Sequence, residues 1–307
     1  MIGRSKRRFP GKCRRVPNAW CIVAAVAVAA AVLSLCVLQT ASAAGARRLP
    51  VVALRPSSHD AARELRLNLL QDWAGPDNDL TVMWGLAPRE VGKRGPAPNV
   101  YVTIEAGTTL ADADWDLRVA LWRISSRPLV ASSSLPSGRR LADGVWVPRL
   151  RATTDSIIGV ARGPACARFV VSAPGRPDGS AARLAEQLAE RFCWRVDRAL
   201  EYILAKTFTL KAGGEKLECR QVPSGALVGD LGALCDAIDA GIRVEQDGEV
   251  VLLRLGKKEV RLQVGYETAQ VGKAGAKLHF PTLKWSEDGY IADLSGIAIL
   301  LGAKVKY

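Results

Sequence analysis

Histidine is scarce in this sequence, which contains only His59 and His279 in 307 residues. A serine or cysteine nucleophile activated by histidine would need one of them, and neither lies near a Gly-x-Ser-x-Gly motif. Phosphate-binding loops and Gly-x-Gly-x-x-Gly turns are absent as well, so the sequence gives no support to nucleotide binding. These absences predict a protein that is not an enzyme and that holds no cofactor.

Paired metal-ligand motifs are also missing, because no Cys-x-x-Cys or Cys/His pair occurs and no zinc site is predicted. Three of the seven cysteines precede residue 40. The other four are an even number that can form two disulfides in three connectivities. The pairing local in sequence is Cys219–Cys235 with Cys166–Cys193, and four buried thiols are the alternative.

Charge is absent from Trp20 to Leu38, which is rich in Ala, Val and Leu. As a helix it would be roughly 28 Å long, enough to cross a hydrocarbon core. Seven Lys and Arg precede it, and by the positive-inside rule this flank would stay cytoplasmic. The pattern predicts a transmembrane helix acting as a signal-anchor, with membrane as a partner and the later domains outside the cytoplasm.

Cleavage of this segment is the alternative to anchoring. The length of the apolar run and of its basic flank favours an uncleaved anchor in a single-pass cell-membrane protein. The small residues Ala41-Ser42-Ala43 favour a signal-peptidase site and secretion after cleavage near Ala43. The sequence leaves both open.

Net charge is +13, but the basic flank accounts for much of it. Seven of the 43 basic residues precede Trp20, which leaves 36 Lys and Arg against 30 Asp and Glu in the remainder. The residual excess is spread along the chain, and no basic patch alternates with aromatic residues. Nucleic-acid binding is therefore not predicted.

Residues 47–208, which follow the 1–46 segment, have the length of one domain. We predict an α/β domain with a mixed sheet, in which a strand, a helix and the strand Leu80–Trp84 are followed by a meander of antiparallel strands that begins with Val100–Ile104, and in which Ala167–Val171 is a further strand. The predicted helices begin near Ser57, Arg149 and Ser180; the last runs to Lys206. In element order this domain is similar to the small TolB amino-terminal type.

Tryptophans are dense in this domain, and exposed tryptophans can stack on sugar rings or peptides. Buried, they would belong to the core. The candidate aromatic binding surface consists of Trp84, Trp115, Trp122 and Trp146.

Residues 209–218 break both periodicities and predict a linker. Beyond it, residues 219–307 repeat one pattern, since Asp230 and Asp293 each precede apolar residues at i, i+3 and i+7 relative to the first helical Leu. Each pattern predicts a short helix with an acidic N-cap. Alternating strands between the helices complete a small α+β domain with an internal two-helix repeat, so the predicted fold class of the whole chain is α+β.

Several motifs here resemble the copper amine oxidase N-terminal-like domain, a noncatalytic stalk module of exported bacterial proteins. The resemblance covers residues 215–307 and is carried by Val260–Gly265, Ala269–Gly272, Leu278–Pro281, Gly289–Ile291 and Ile297–Val305. The chain departs from the family pattern in lacking its Pro and Arg at the entry to each helix. The resemblance implies no copper and no quinone, because the oxidase chemistry of that family belongs to another domain.

Taken together, these patterns predict a noncatalytic envelope protein, membrane-anchored or exported, that binds a cell-wall polymer or another protein through its outer domains. One alternative is an envelope hydrolase that acts through carboxylates, which clustered acids in a cleft would support. The other is an accessory subunit of a larger envelope complex, which a large exposed apolar patch would mark.

Overall fold

A computed structural model describes most of the chain after residue 48. The described ranges are 49–62, 65–76, 78–86, 97–107, 129–132, 134–135, 138, 142–148, 155–176 and 179–306. They belong to one compact unit, Arg47–Tyr307.

The first sheet has seven antiparallel strands in the order β1-β2-β3-β7-β6-β5-β4. Alternate residues of its strands face the core, as Val100, Val102 and Ile104 do in the middle of the sheet. The strands are β1 (Asn68–Ala74), β2 (Asp79–Gly85), β3 (Asn99–Ala106), β4 (Leu129–Ser132), β5 (Gly144–Pro148), β6 (Asp155–Arg162) and β7 (Ala165–Ser172).

Two short helical segments precede this sheet: a 3₁₀ turn at Val51–Leu54 and the helix α1 (Ser58–Ala62). A long helix, α2 (Ser180–Leu204), follows the sheet and packs against β6 and β7. Its apolar residues recur every three or four positions, so they form one stripe that is buried on the sheet. Phe192 of this stripe meets Phe169 of β7 edge to face, with ring centroids 6.1 Å apart.

Two more antiparallel sheets form the rest of the chain. The six-stranded sheet has the order β16-β17-β10-β9-β8-β18, and the five-stranded sheet is the meander β11 to β15. Their strands are β8 (Lys206–Ala212), β9 (Glu215–Gln221), β10 (Leu227–Asp230), β11 (Arg243–Asp247), β12 (Val250–Leu255), β13 (Lys258–Gln263), β14 (Thr268–Val271), β15 (Ala274–Lys277), β16 (Leu283–Lys284), β17 (Tyr290–Asp293) and β18 (Val305–Lys306).

Helices α3 (Leu231–Ile238) and α4 (Leu294–Leu301) form where the repeated pattern predicts them. In both, the preceding Asp side chain accepts a hydrogen bond from a backbone N–H of the first turn. They bury their apolar faces in a core cluster with the five-stranded sheet.

The fold class differs from the prediction. The described part of the chain has eighteen strands in three sheets and four α-helices, so the protein is mostly β. Every strand pair in these sheets is antiparallel, whereas a mixed sheet was predicted. Short turns join β1 to β2 and β6 to β7, and two neighbouring strands joined by such a turn run antiparallel.

Two predicted helices are replaced by strands, the first over its later part and the second from Asp155 onward. The pattern after Ser57 continues as a helix only to Ala62, and Arg66 has a φ of 53° that turns the chain into β1. The helix predicted from Arg149 is also wrong, because β6 begins at Asp155 and pairs with β7 over its whole length. Its Ile and Val residues are β-branched and suit a pleated sheet.

The predicted linker at 209–218 falls within the hairpin formed by β8 and β9. Residues beyond it also contribute to the core of the first sheet; they are Val222, Ala226, Val228, Phe280, Leu283 and Ile291. The two parts of the chain therefore share one core cluster.

The predicted membrane segment Trp20–Leu38 lies outside the described residues. Among the helices that the structure does describe, none combines the length and the apolar character needed to span a bilayer. On this finding the structure does not support the predicted transmembrane helix and signal-anchor or the single-pass location, and these predictions are not kept. Secretion after cleavage near Ala43 stays a prediction.

Candidate functional site

A groove of about 860 Å³ runs along the C-terminal half of α2. One wall is the exposed face of this helix, and the other is the turn between β9 and β10. The lining residues are Arg162, Trp194, Asp197, Arg198, Leu200, Glu201, Leu204, Ala205, Lys206, Gln221, Val222, Pro223 and Gly225.

Helical spacing places the groove residues on one side of α2. Trp194, Asp197, Arg198 and Glu201 are three or four residues apart, so they share a face. The residues between them, such as Val196 and Ala199, are buried against the sheet. The same helix therefore carries a core stripe and a groove stripe.

Arg220 of β9 contacts the C-terminal end of α2 beside the groove. Its Nη1 donates hydrogen bonds to the carbonyl oxygens of Tyr202 (3.2 Å) and Ile203 (2.7 Å), at the C-terminal end of α2. The Tyr202 carbonyl also accepts a hydrogen bond from the backbone N–H of Ala205 at 3.3 Å. Both carbonyls lie in the last turn of α2, where a cation suits the negative end of the helix dipole. The guanidinium also lies 4.9 Å from the ring centroid of Tyr202.

Both carboxylates of the groove are paired with arginines. Arg162 donates to Asp197 through Nε (2.8 Å) and Nη2 (3.2 Å), and the hydrogen bond to Asp197 is the main reason why the pKa of Arg162 is raised. Arg198 donates to Glu201 at 2.6 Å. Burial nevertheless raises the pKa of Glu201 above its ordinary value. The groove thus alternates acid and base along its length.

Apolar surface completes the groove. The side chain of Leu204 is 69% exposed at the end of α2. The guanidiniums of Arg191 and Arg198 each lie 5.9 Å from the centroid of the Trp194 ring. These cation–π contacts occupy the ring faces that would otherwise stack on a sugar.

A buried ionic cluster fixes α2 to the rest of the protein. Arg195, whose side chain is 1% exposed, donates from Nη2 to Asp60 of α1 at 2.5 Å. Tyr266, between β13 and β14, donates its hydroxyl hydrogen to the same carboxylate. Burial alone would raise the pKa of Asp60, but Arg195 and the Tyr266 hydrogen bond together lower it. Burial and Asp60 raise the pKa of Tyr266 to about 12.

Gly265 lets the backbone lie against this arginine. Its φ is +82°, and a Cβ there would lie only 2.9 Å from Nη2 and 3.0 Å from Nε of Arg195. A side chain at residue 265 would therefore clash with the buried guanidinium and strain the backbone.

The predicted aromatic surface is not found as a group. Trp84 is completely buried, and its Nε1 donates to Ser58 Oγ at 3.0 Å. Trp146 is partly buried against Ala161 and Cys166 on the opposite face of the sheet from α2. Trp115 and Trp122 lie outside the described residues.

The predicted disulfides are not formed. All four cysteines in the described ranges are buried, and none is joined to another. Cys193 belongs to the buried stripe of α2, which packs on one face of the first sheet. Cys166 projects from the other face of β7, beside Trp146. The sheet separates these two thiols. Cys219 and Cys235 share the second core, and burial raises the pKa of both.

Neither histidine lines the groove. His59 meets the Tyr266 ring edge to face with centroids 5.6 Å apart, and the backbone N–H of His279 donates to Asp293 at 3.0 Å. Groups of three or more potential metal ligands do not occur within the described ranges.

Asp79 of β2 and Glu105 of β3 face each other across the two strands. The pKa of Glu105 is raised, mainly by burial and also by the negative charge of Asp79.

The groove was not identified from the sequence. The spacing of Leu184, Leu188 and Phe192 reveals the buried stripe of α2, and the opposite face could have been inferred from the same helix. Arg162, which lines the groove, and Arg220, which contacts the end of α2 beside it, carry no such signal, because both belong to strands and not to the helix.

Comparison with known proteins gives no match for this chain among protein-family models, curated proteins or solved structures. No catalytic family is associated with it.

Proposed function

We propose that this chain is a noncatalytic binding protein, and that the groove along α2 binds an extended segment of another protein. The observation that carries the proposal is the combination of exposed Leu204 with arginine–carboxylate pairs along one open groove. Peptide segments offer apolar side chains, amides and charges together, which matches this lining.

The arginine pairs favour binding over hydrolysis. A glycosidase-type pair needs one carboxyl to donate a proton while its partner acts as base or nucleophile. In the groove, Asp197 and Glu201 are each held in an ion pair with an arginine, so neither is an unpaired carboxyl group free for such a role. A cell-wall polymer is a less suitable ligand than a peptide, because arginines cover the Trp194 ring.

We also propose that residues 215–307 form a module of the copper amine oxidase N-terminal-like kind. The support is the sequence pattern, together with two Asp-capped helices that alternate with antiparallel strands. Such a module would stiffen and present the groove and would itself hold no copper.

The test is selection of peptides from a random library on the immobilised full-length chain, followed by affinity measurement by fluorescence anisotropy. Leu204→Asp should weaken binding of the selected peptides at least about tenfold, because it places a charge in the apolar part of the groove. Ile299→Asp is the matched control, since Ile299 is 70% exposed near the end of α4 and does not line the groove. It should leave affinity unchanged.

Equal binding by wild type and Leu204→Asp would show that the groove is not the site. Sedimentation with purified peptidoglycan tests the polymer instead. If the wild-type chain sediments with this polymer and Leu204→Asp abolishes the cosedimentation, the groove binds glycan and the proposal of a protein ligand is wrong.

A further inference from the structure

Strand β1 forms one edge of the seven-stranded sheet. In the part of the chain that the structure describes, β2 is its one neighbouring strand. All seven residues of β1 are exposed. The backbone N–H and C=O groups on the outer side of such a strand can pair with a further strand.

Large apolar side chains are concentrated on this edge. Leu69, Leu70 and Trp73 are 42%, 45% and 52% exposed. Clusters of this kind are uncommon on the surfaces of monomeric proteins and mark interaction sites.

Four of the five other edge strands in the described ranges carry charges, whereas β4, at the opposite edge of the same sheet, carries none. Strand β11 contains Arg243, Glu245 and Asp247, and β15 and β18 end in Lys277 and Lys306. Charged residues on an edge oppose pairing with another strand. β1 contains no Lys, Arg or Pro, so it lacks this protection.

The single charge on β1 is neutralised. Asp72 forms an ion pair with Arg55, in which Nη2 of Arg55 lies 2.7 Å from Oδ2 of Asp72. Two copies of the strand can therefore approach without net repulsion, provided that the two carboxylates do not face each other directly.

We propose that β1 pairs with β1 of a second copy of this chain, joining the two sheets into one antiparallel sheet. A two-fold axis normal to the sheet makes the two edge strands antiparallel, and such an interface is self-complementary. A register centred on Gln71 pairs the two strands over their full length and places Leu69 opposite Trp73 and Asp72 opposite Leu70. A register centred on Asp72 would oppose two carboxylates, which disfavours it.

The properties of β1 itself indicate a second copy of this chain as the partner. It supplies an equally long edge with the same unpaired backbone groups and the same exposed apolar residues, and it brings no added charge. This inference is independent of the groove, because none of the groove residues belongs to β1.

The experiment is sedimentation velocity on the full-length chain at about 1–100 µM. We expect the mass to rise from that of the 32.9 kDa monomer to twice that value with concentration. Leu70→Lys and Trp73→Lys should each shift the midpoint at least about tenfold to higher concentration. Circular dichroism establishes that both variants fold, which their exposure at the surface favours.

The matched control is Val244→Lys, since Val244 is 43% exposed on the edge strand β11. Val244→Lys should leave the midpoint unchanged. Association through any other part of the chain would be the same in all variants, so it would not produce a difference between the β1 variants and this control. Hydrogen exchange should show amides of β1 becoming protected as concentration rises. A wild type that stays monomeric, or a dimer indifferent to both β1 variants, overturns the proposal.

Discussion

Asp60 is the residue on which the position of α2 depends. Its carboxylate accepts hydrogen bonds from Arg195 and Tyr266, and Arg191 Nε lies 3.9 Å away. These partners come from two parts of the chain that are distant from Asp60 in sequence, α2 and the turn between β13 and β14. Two side-chain nitrogens of Arg195, Nε and Nη1, are buried without a hydrogen-bond partner, so the Asp60 carboxylate is the main compensation for a buried positive charge.

We predict that Asp60→Asn destabilises the protein by about 3–5 kcal/mol near neutral pH, because it leaves Arg195 buried without a counter-ion. Since the folded state lowers the pKa of Asp60 from 3.8, its contribution is present above that value and is lost as the pH falls through the lowered pKa. Urea unfolding at about pH 7, pH 5 and pH 3 should show a constant difference between wild type and variant that shrinks only at the lowest pH.

Asp236→Asn is the control, because Asp236 is exposed on α3. It should change the free energy of unfolding by less than about 0.5 kcal/mol. A small effect of Asp60→Asn at neutral pH would mean that Tyr266 and Arg191, not Asp60, determine the stability of the cluster.

At the scale of elements, α3 and α4 begin with the same capping residue in different environments. Asp230 accepts one backbone hydrogen bond, from Ala233 N at 2.8 Å, and is exposed. Asp293 is fully buried and accepts three hydrogen bonds. Two come from the backbone N–H groups of Gly296 (2.9 Å) and His279 (3.0 Å), and one comes from the hydroxyl of Ser295 (2.7 Å). The second cap also holds the chain before β16.

We predict unequal costs for removing these caps. Asp230→Ala should lower the free energy of unfolding by about 1 kcal/mol, the usual value for an N-cap. Asp293→Ala should lower it by about 3 kcal/mol or more, because it leaves buried donors without partners. Urea unfolding of the two variants gives the comparison. Equal losses would contradict the inference that burial, and not capping alone, makes Asp293 important.

At the scale of the whole molecule, the core crosses the boundary predicted between the two domains. Val228, Phe280 and Ile291 pack in the same cluster as the first sheet and α2. Each buried apolar side chain contributes roughly 1.5–3 kcal/mol of burial free energy, so this shared cluster couples the two parts.

We therefore predict a single unfolding transition for residues 49–306. Tryptophan fluorescence and far-ultraviolet circular dichroism should give coincident curves. Phe280→Ala should move the whole transition to lower temperature, since emptying this core site costs about 3–5 kcal/mol. The exposed Lys273→Ala should leave it unchanged. Two separate transitions, with Phe280→Ala affecting only one, would contradict the coupling.

The sequence by itself determined the elements that depend on neighbouring residues. Helices α2, α3 and α4 were predictable because helical spacing and N-caps are local signals. Strands β3 and β7 were predictable from runs of β-branched residues for the same reason. The region after Ser57 was misassigned because Leu65, Leu69 and Leu70 fit a helix by spacing, although the last two are exposed on a strand.

Only the tertiary structure decided which side chains are buried and which meet. Strand register places Cys166 on the face of the sheet opposite to α2 and Cys193, and it buries Trp84 while leaving Trp73 exposed. The groove brings Arg162 and Arg220 from separate strands to α2. These outcomes depend on contacts between residues far apart in sequence, and the periodicity of a single segment carries no information about the partner against which it packs.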